Sequence, residues 1–374
     1  MKYYIIAGEA SGDLHASNLM RALKKADPAA GFRFWGGDKM LAEGGEMVRH
    51  YKTLAYMGIG EVLAHLPDIF RNMSLCRKDI LQYAPDVVIL VDYPGFNLSM
   101  AAFAHKRGIP VYYYISPKVW AWKESRVKQI KRNVDRMFVI FPFEVGFYAR
   151  HEYAVDFQGN PLIDAIDEAR RTLPDRSEFL SRNGLPDKPV VALLAGSRVQ
   201  EISRLLPEML KVRRAFPDYQ FLLAGAPSID RELYDSILTP EDRVTVLYGQ
   251  TYDILQHAEA ALVTSGTATL ETALFGVPQS VCYKTGRFSY AIGRLFFHDK
   301  FFSLVNIILG RPAVQEILQD RVAEKMEADL RSLLTDPARR DRMLRDYAEL
   351  REISGGSGAS ERVAGLMVKY LTGK

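Results

Sequence analysis

Short apolar runs recur along this chain, each followed by a longer stretch whose apolar residues return at helical spacing. That alternation predicts parallel βαβ units. In the first half the runs Tyr3–Ala7, Arg33–Trp35, Val87–Val91, Pro110–Ile115 and Met137–Phe141 read as strands. In the second half Val190–Leu194, Gln220–Ala224, Val244–Leu247, Ala260–Thr264 and Gln279–Tyr283 do the same. Between the halves, Asp167–Pro189 is charged and interrupted by prolines, and the domain boundary is set there, giving domains 1–166 and 167–353. Ser354–Ser360 reads as a flexible turn before a final amphipathic helix, Glu361–Leu371, which makes 354–374 a separate closing element. Both halves begin alike, with an apolar strand, a Gly-Ser loop and a helix. Two doubly wound α/β domains facing a central cleft would bind ligands at the carboxyl ends of their strands. The residues just after the strands are therefore the candidates.

Composition narrows the chemistry. With 374 residues, 48% of them hydrophobic, the chain can fill two cores. A net charge of +4 is well short of a dedicated nucleic-acid binder, so no nucleic-acid partner is expected. Two cysteines, Cys76 and Cys282, suit a reducing compartment and no disulfide framework. The first apolar run is too short for a signal peptide, and no run approaches the roughly 20 residues that span a bilayer. A cytoplasmic protein, or one peripheral on the inner membrane, is the expectation. No Walker A loop, Cys/His cluster or H-E-x-x-H occurs, so neither a metal nor a cofactor is expected.

Four loops carry the candidate chemistry. After the first strand, Gly8, Ser11 and Gly12 open a helix without a G-x-G-x-x-G fingerprint. Ser11 or Asp13 could simply cap that helix, or Glu9, Ser11 and Asp13 could line the cleft and accept hydrogen bonds from sugar hydroxyls. After the strongly apolar Val87–Val91, Asp92 stands at the cleft mouth, partly desolvated, where a general base is often found. Asp92 could also cap the following helix, although Asn97 and Ser99 are available for that. After Val190–Leu194 comes Gly196-Ser197-Arg198, where Ser197 and Gln200 have the spacing of a capping box. Capping does not need Arg198, whose guanidinium is suited to clamp a phosphate.

The fourth loop, Thr264-Ser265-Gly266-Thr267, again hands a strand to a helix and has Glu271 one turn inside. A second helix N-terminus in one domain offers a second anion seat, and together they suggest a diphosphate. Glu271 could then hold ribose hydroxyls. Two further stretches suggest a membrane surface. Arg287–Arg311 interleaves Phe288, Tyr290, Phe296, Phe297, Phe301 and Phe302 with basic residues, and Met57–Met73 is apolar with few charges. Lys123–Arg136 adds a basic helix face, which a solvated surface would equally explain and which does not by itself imply nucleic acid.

Seven segments in order resemble the lipid-A-disaccharide synthase family of inverting GT-B glycosyltransferases: AGEASGD (Ala7–Asp13), MGIGEVL (Met57–Leu63), SPKVWAW (Ser116–Trp122), GNPLID (Gly159–Asp164), GSRVQEI (Gly196–Ile202), SGTATLE (Ser265–Glu271) and SLVNIILGRPAVQEILQ (Ser303–Gln319). Ala195 and Val305 stand where the family commonly has proline, and His15 has no role to carry over. The resemblance implies a donor, UDP-2,3-diacylglucosamine, and an acceptor, 2,3-diacylglucosamine 1-phosphate. Their product would be the β-1,6-linked disaccharide precursor of lipid A, with release of UDP and no metal. It also implies a nucleotide in the second domain, an acceptor in the first, and a last helix that crosses back to the first. Asp92 would be the base, and Asn306, Gln315 and Glu316 would lie near the UDP site. A homodimer is compatible with the sequence. A UDP-sugar 2-epimerase-like isomerase shares the fold but needs no lipid pocket, and a non-catalytic carrier needs no Asp92.

Overall fold

The predicted apolar runs become strands of two parallel sheets, in a computed structural model that describes residues 1–53, 66–119, 124–284 and 301–373. The chain divides into two compact units, Met1–Ala165 with Ser354–Lys374, and Ile166–Ile353. The first holds β1 (Lys2–Ala7), β2 (Gly31–Gly36), β3 (Glu46–His50), β4 (Val87–Val91), β5 (Val111–Tyr114), β6 (Arg136–Val139) and β7 (Asp156–Phe157), in the order β3-β2-β1-β4-β5-β6-β7. The second holds β8 (Val190–Leu194), β9 (Gln220–Gly225), β10 (Val244–Tyr248), β11 (Ala258–Thr264), β12 (Gln279–Tyr283) and β13 (Gln315–Leu318), in the order β10-β9-β8-β11-β12-β13.

Both orders reverse direction once, at β1/β4 in the first sheet and at β8/β11 in the second. Such a switch point parts the two flanking loops and leaves a crevice between them. The register puts Ala7 beside Val91 and Leu194 beside Val263. The loops that begin at Gly8 and Asp92, and those around Gly196 and Ser265, are therefore the ones that flank each crevice.

The strands pack as the twofold pleat dictates. Tyr4, Ile6, Val88, Leu90 and Tyr113 fill one face of the first sheet, and Tyr3, Ile5, Val87, Ile89 and Val91 the other. Polar atoms carried into this core are partnered: Trp35 Nε1 donates to Tyr4 Oη at 2.8 Å, and Tyr4 Oη donates to Asp79 Oδ2 at 2.7 Å. The second sheet buries Val191, Leu193, Leu262 and Cys282 against Leu205, Met209 and Met326.

The connections carry more structure than their composition shows. Within Asp167–Pro189, Asp167 lies in the helix Pro161–Arg170, and Arg176–Asn183 is a further helix. Asp175 caps it by accepting the Glu178 N–H at 2.9 Å, and Gly184 ends it in the left-handed region. Pro174 stands just before this cap, and Pro186 and Pro189 lie in the connection to β8.

Ser354–Ser360 is likewise pinned rather than flexible. Asp164 accepts the N–H groups of Gly358 and Ser360, and Arg362 donates to the carbonyls of Gln158, Gly355 and Ser357. Gly355 packs so closely that a Cβ would lie 2.5 Å from Gly159 Cα. The helix that follows, Ala359–Thr372, buries Val363, Ala364 and Met367 in the same cluster as Leu19 and Leu23 of the helix Ala10–Ala26. Among the described residues no helix is long and apolar enough to cross a membrane.

Candidate active site

The first crevice is built around a strained corner. Asp92 and Tyr93, neither of them glycine, take φ of +44° and +47° in succession. A left-handed residue of this kind costs on the order of 1–3 kcal/mol and persists only where its surroundings hold it. Here the holding groups can be named. Tyr113 Oη donates to the Asp92 carbonyl at 2.6 Å, and Asn97 Nδ2 donates to the same oxygen at 2.8 Å and to the Val91 carbonyl at 3.2 Å. Both side chains are buried. Asn97 is thus not a helix cap. The helix Pro94–His105 begins from Tyr93, and Asn97 turns inward to tie that helix to the end of β4. Gly8 completes the corner from β1, since a Cβ there would lie 2.3 Å from the Tyr93 ring.

The corner sets the acidity of Asp92. Burial pushes its carboxyl up to about 6; the charge of Glu9 adds to the rise, while Lys118 and the Tyr93 N–H oppose it. A carboxylate of this kind is poised to accept a proton near neutral pH. A second acid lies in the helix Pro142–Ala149, which follows β6: burial pushes Glu144 up to about 7, although it accepts the N–H groups of Ile140 and Phe141. Lys118 lowers this group as well.

The first loop divides in two. Glu9 is exposed and precedes the helix Ala10–Ala26 without a side-chain capping bond, and Ser11 is exposed inside the first turn. Neither Ser11 nor Asp13 is the N-cap. Asp13 is 3% exposed and accepts the N–H groups of Gly37, Lys39 and Met40 at 2.8, 3.1 and 3.1 Å. Its carboxylate caps the short helix Asp38–Ala42, so its hydrogen bonds go to the frame.

In the second crevice the two helix N-termini lie on neighbouring strands, after β8 and after β11. The helix Val199–Arg213 starts from Arg198, so the Ser197–Gln200 capping box does not form. Glu201, one residue further, plays that part: its Oε2 accepts the Ser197 N–H at 3.1 Å. Gly196 has φ +111° and could carry no Cβ, which would lie 2.7 Å from Glu201 Oε2. Arg198 is 79% exposed and pairs with Glu201 at 3.1 Å.

After β11, Ser265 is committed to the frame. Its N–H donates to the Cys282 carbonyl at 3.0 Å and its Oγ to the Phe302 carbonyl at 2.8 Å. The following N–H groups of Gly266, Thr267 and Ala268 have no acceptor among the described residues, and Gly266 and Thr267 are exposed. A Cβ at Gly266 would meet nothing within 4 Å, so the end of the helix Thr267–Leu274 is open. One turn in, burial raises the Glu271 carboxyl, and Tyr252 Oη donates to it at 3.0 Å.

Asn306 and Glu316 brace this loop. Asn306 Oδ1 accepts the N–H groups of Ala313 and Val314, and its Nδ2 donates to Val314 O and to Glu316 Oε1. Glu316 Oε1 also accepts the N–H groups of Phe302 and Ser303 at 3.2 and 2.8 Å. A continuous set of hydrogen bonds thus runs from Glu316 through Phe302 to the Ser265 hydroxyl. Gln315 is exposed on β13. No group of His, Cys, Asp or Glu able to hold a metal occurs among the described residues.

Sequence reasoning missed Tyr113, Glu201, Tyr252 and Glu144. Only Glu201 had a legible signal, lying at the capping-box spacing from Arg198 rather than from Ser197. The two stretches read as membrane-facing, Arg287–Arg311 and Met57–Met73, fall largely outside the described residues. In the parts described, Phe70 is 65% exposed on the helix Leu66–Tyr83, and Phe301 and Phe302 are half-buried.

Comparison with known proteins bears on the family and the fold. The sequence model of the family described as lipid-A-disaccharide synthetase matches residues 3–363. The chain is 40% identical to a lipid-A-disaccharide synthase of Geobacter sulfurreducens, covering 98% of this chain and 96% of that one. It is 41% identical to the enzyme of the same name from Syntrophus aciditrophicus, covering 96% and 95%. Its fold is similar to that of a UDP-GlcNAc 2-epimerase from Methanocaldococcus jannaschii, solved with UDP-GlcNAc and UDP (TM-score 0.68, 15% identity, all of both chains covered). It is also similar to the glycotransferase of kitacinnamycin (TM-score 0.66, 17% identity, 99% of both chains covered). These structural likenesses, at such low identity, show the two-domain α/β GT-B fold alone.

Proposed function

Because the chain belongs to the lipid-A-disaccharide synthase family, and so is a glycosyltransferase, we propose that it joins UDP-2,3-diacylglucosamine to 2,3-diacylglucosamine 1-phosphate. The product is the β-1,6-linked disaccharide 1-phosphate, with inversion at the anomeric carbon. The observation that carries this reading is the pair of helix N-termini on the neighbouring strands β8 and β11. The open N–H groups of Gly266, Thr267 and Ala268, with the guanidinium of Arg198, suit a diphosphate.

In the proposed reaction the acceptor's 6-hydroxyl oxygen attacks the anomeric carbon of the donor. Asp92 takes the hydroxyl proton as the new C–O bond forms, and the bond to the diphosphate oxygen breaks, with its electron pair leaving on UDP. Charge builds up on that oxygen, and Arg198 with the N–H groups of Gly266 and Thr267 stabilises it without reorganisation. Glu271 holds ribose hydroxyls. Asn306 and Glu316 act on this site through the loop they brace, and Gln315 flanks it. In the first unit, Glu9 and Ser11 hold acceptor hydroxyls, while Asp13 acts only by fixing the loop.

Acylated substrates partition into a bilayer, which motivates peripheral attachment to the inner membrane through the aromatic and basic stretch at Arg287–Phe302 and through Met57–Met73. Flotation with anionic liposomes, unchanged after Phe296, Phe297, Phe301 and Phe302 become serine in a folded protein, would remove the first of these surfaces.

The test of the reaction uses the purified protein with UDP-diacylglucosamine, with and without the acylated acceptor. UDP release that depends on the acceptor supports transfer. Release without acceptor, accompanied by an altered sugar, would support an isomerase instead.

A further inference from the structure

The helix Val199–Arg213 carries Glu201 in its first turn, and the carboxylate bends back over the helix N-terminus. Oε2 accepts the Ser197 N–H at 3.1 Å, and Oε1 accepts from Arg198 Nη1 at 3.1 Å. The Glu201 side chain is only 16% exposed, whereas its Arg198 partner is 79% exposed. Gly196 admits this fold-back, since a Cβ there would lie 2.7 Å from Oε2 and 2.8 Å from the Glu201 Cβ. A carboxylate and a phosphoryl group compete for the same donors: a backbone N–H at a positive helix end and a guanidinium.

We propose that Glu201 is a place-holding anion, which occupies the Ser197 N–H and Arg198 in the free enzyme and gives them up to a phosphoryl group of the nucleotide. This rests on the assignment of that helix end as the diphosphate seat. A surface pair three residues apart on one helix is weak, so the exchange is easy. The free state keeps the turn ordered and the guanidinium close to its task. In return, the carboxylate's negative charge opposes the incoming diphosphate, lowers affinity for UDP, and hastens its departure after transfer.

A purely architectural Glu201 makes the opposite prediction. If its only task were to order the Gly196–Arg198 turn, weakening it would loosen the site and UDP would bind less well. Glu201→Gln separates the two, because the amide keeps an acceptor for the Ser197 N–H and loses the charge.

UDP binding is measured by calorimetry on the full chain for the wild type, Glu201→Gln, Glu201→Ala and Arg198→Ala, with folding checked by thermal unfolding. Glu201→Gln is expected to bind UDP about tenfold more tightly, a gain of ~1.4 kcal/mol. Glu201→Ala should shift in the same direction. In turnover, KM for the UDP-sugar should fall in Glu201→Gln while kcat does not rise, as slower product release requires. UDP affinity unchanged or weakened in both Glu201 variants, with Arg198→Ala weakened, overturns the place-holder and leaves the phosphate clamp standing. Wild-type affinity in Arg198→Ala overturns the clamp, and the place-holder with it.

Discussion

The loops after β4 and after β8, both assigned to the proposed reaction, have opposite construction. At Asp92 the backbone is strained, the supporting groups are buried, and Tyr113 and Asn97 fix a single carbonyl oxygen. At Arg198 the backbone is extended, the side chain is exposed, and one short-range ion pair holds it. The difference fits the role proposed for each group. A base has to keep a raised affinity for protons, so it needs a dry and rigid setting. A phosphate clamp has to meet a ligand that arrives and leaves, so it needs solvent access and a side chain free to turn.

The largest expected effects fall on the two acting groups themselves. Asp92→Asn should lose roughly 10²–10⁴ in turnover, the contribution of a positioned base. UDP affinity, measured alongside, should stay near the wild type. If turnover survived in Asp92→Asn and collapsed in Glu9→Gln, the base would be on the first loop instead. Arg198→Ala should lose about 10²–10³ in turnover, as removal of a donor to developing charge does. Wild-type turnover together with wild-type UDP binding would end its assignment as the clamp.

A smaller effect tests the rigidity of the first loop. Tyr113→Phe removes one buried hydroxyl and keeps the ring. The bond it makes to the Asp92 carbonyl is worth about 0.5–1.5 kcal/mol, so turnover should fall roughly two- to tenfold if all of it bears on the base. The KM for donor should not move, since Tyr113 lies in the first unit. A rise in donor KM with constant kcat would mean that the corner serves the fold more than the base.

How much of this was legible in the sequence depends on burial and on range. The inner strands β4 and β8 were read to the residue, because strands covered on both faces are continuous apolar runs. The edge strands β3, β7 and β13 were missed. β3 is mostly half-buried and reads Glu-Met-Val-Arg-His, β7 has two residues, and β13 has Gln315 exposed, so none carries a run to detect. Asp92, Arg198 and the Ser265 loop stood out because each directly follows a legible strand. Tyr113 and Tyr252 did not, because a tyrosine within an apolar pattern looks like core until its hydroxyl is seen to reach a distant acceptor. Asp13 misled for the same reason: its three partners lie about 25 residues on, where local capping rules do not look.

The smallest expected effect is also the most diagnostic of the dry setting. The Asp92 carboxyl, raised by burial to about 6, must be ionised to take a proton, so turnover should decline as pH falls through that value. The charge of Glu9 helps raise it and that of Lys118 lowers it. Glu9→Gln should therefore move the acid limb to lower pH and Lys118→Met to higher pH. Each shift should be a few tenths of a unit, as fits partly solvated neighbours. Stability should carry the same signature. The folded state holds the Asp92 proton more tightly than an unfolded chain, whose aspartate titrates near 3.8, so raising the pH from about 4 to about 6 costs stability through this group. Asp92→Asn should flatten that part of the stability profile. If instead the acid limb moved in Lys118→Met but stayed in place in Glu9→Gln, while the Asp92→Asn profile kept its slope, the titrating group would be another acid beside Lys118. Glu144, raised to about 7, would then be the one to replace next.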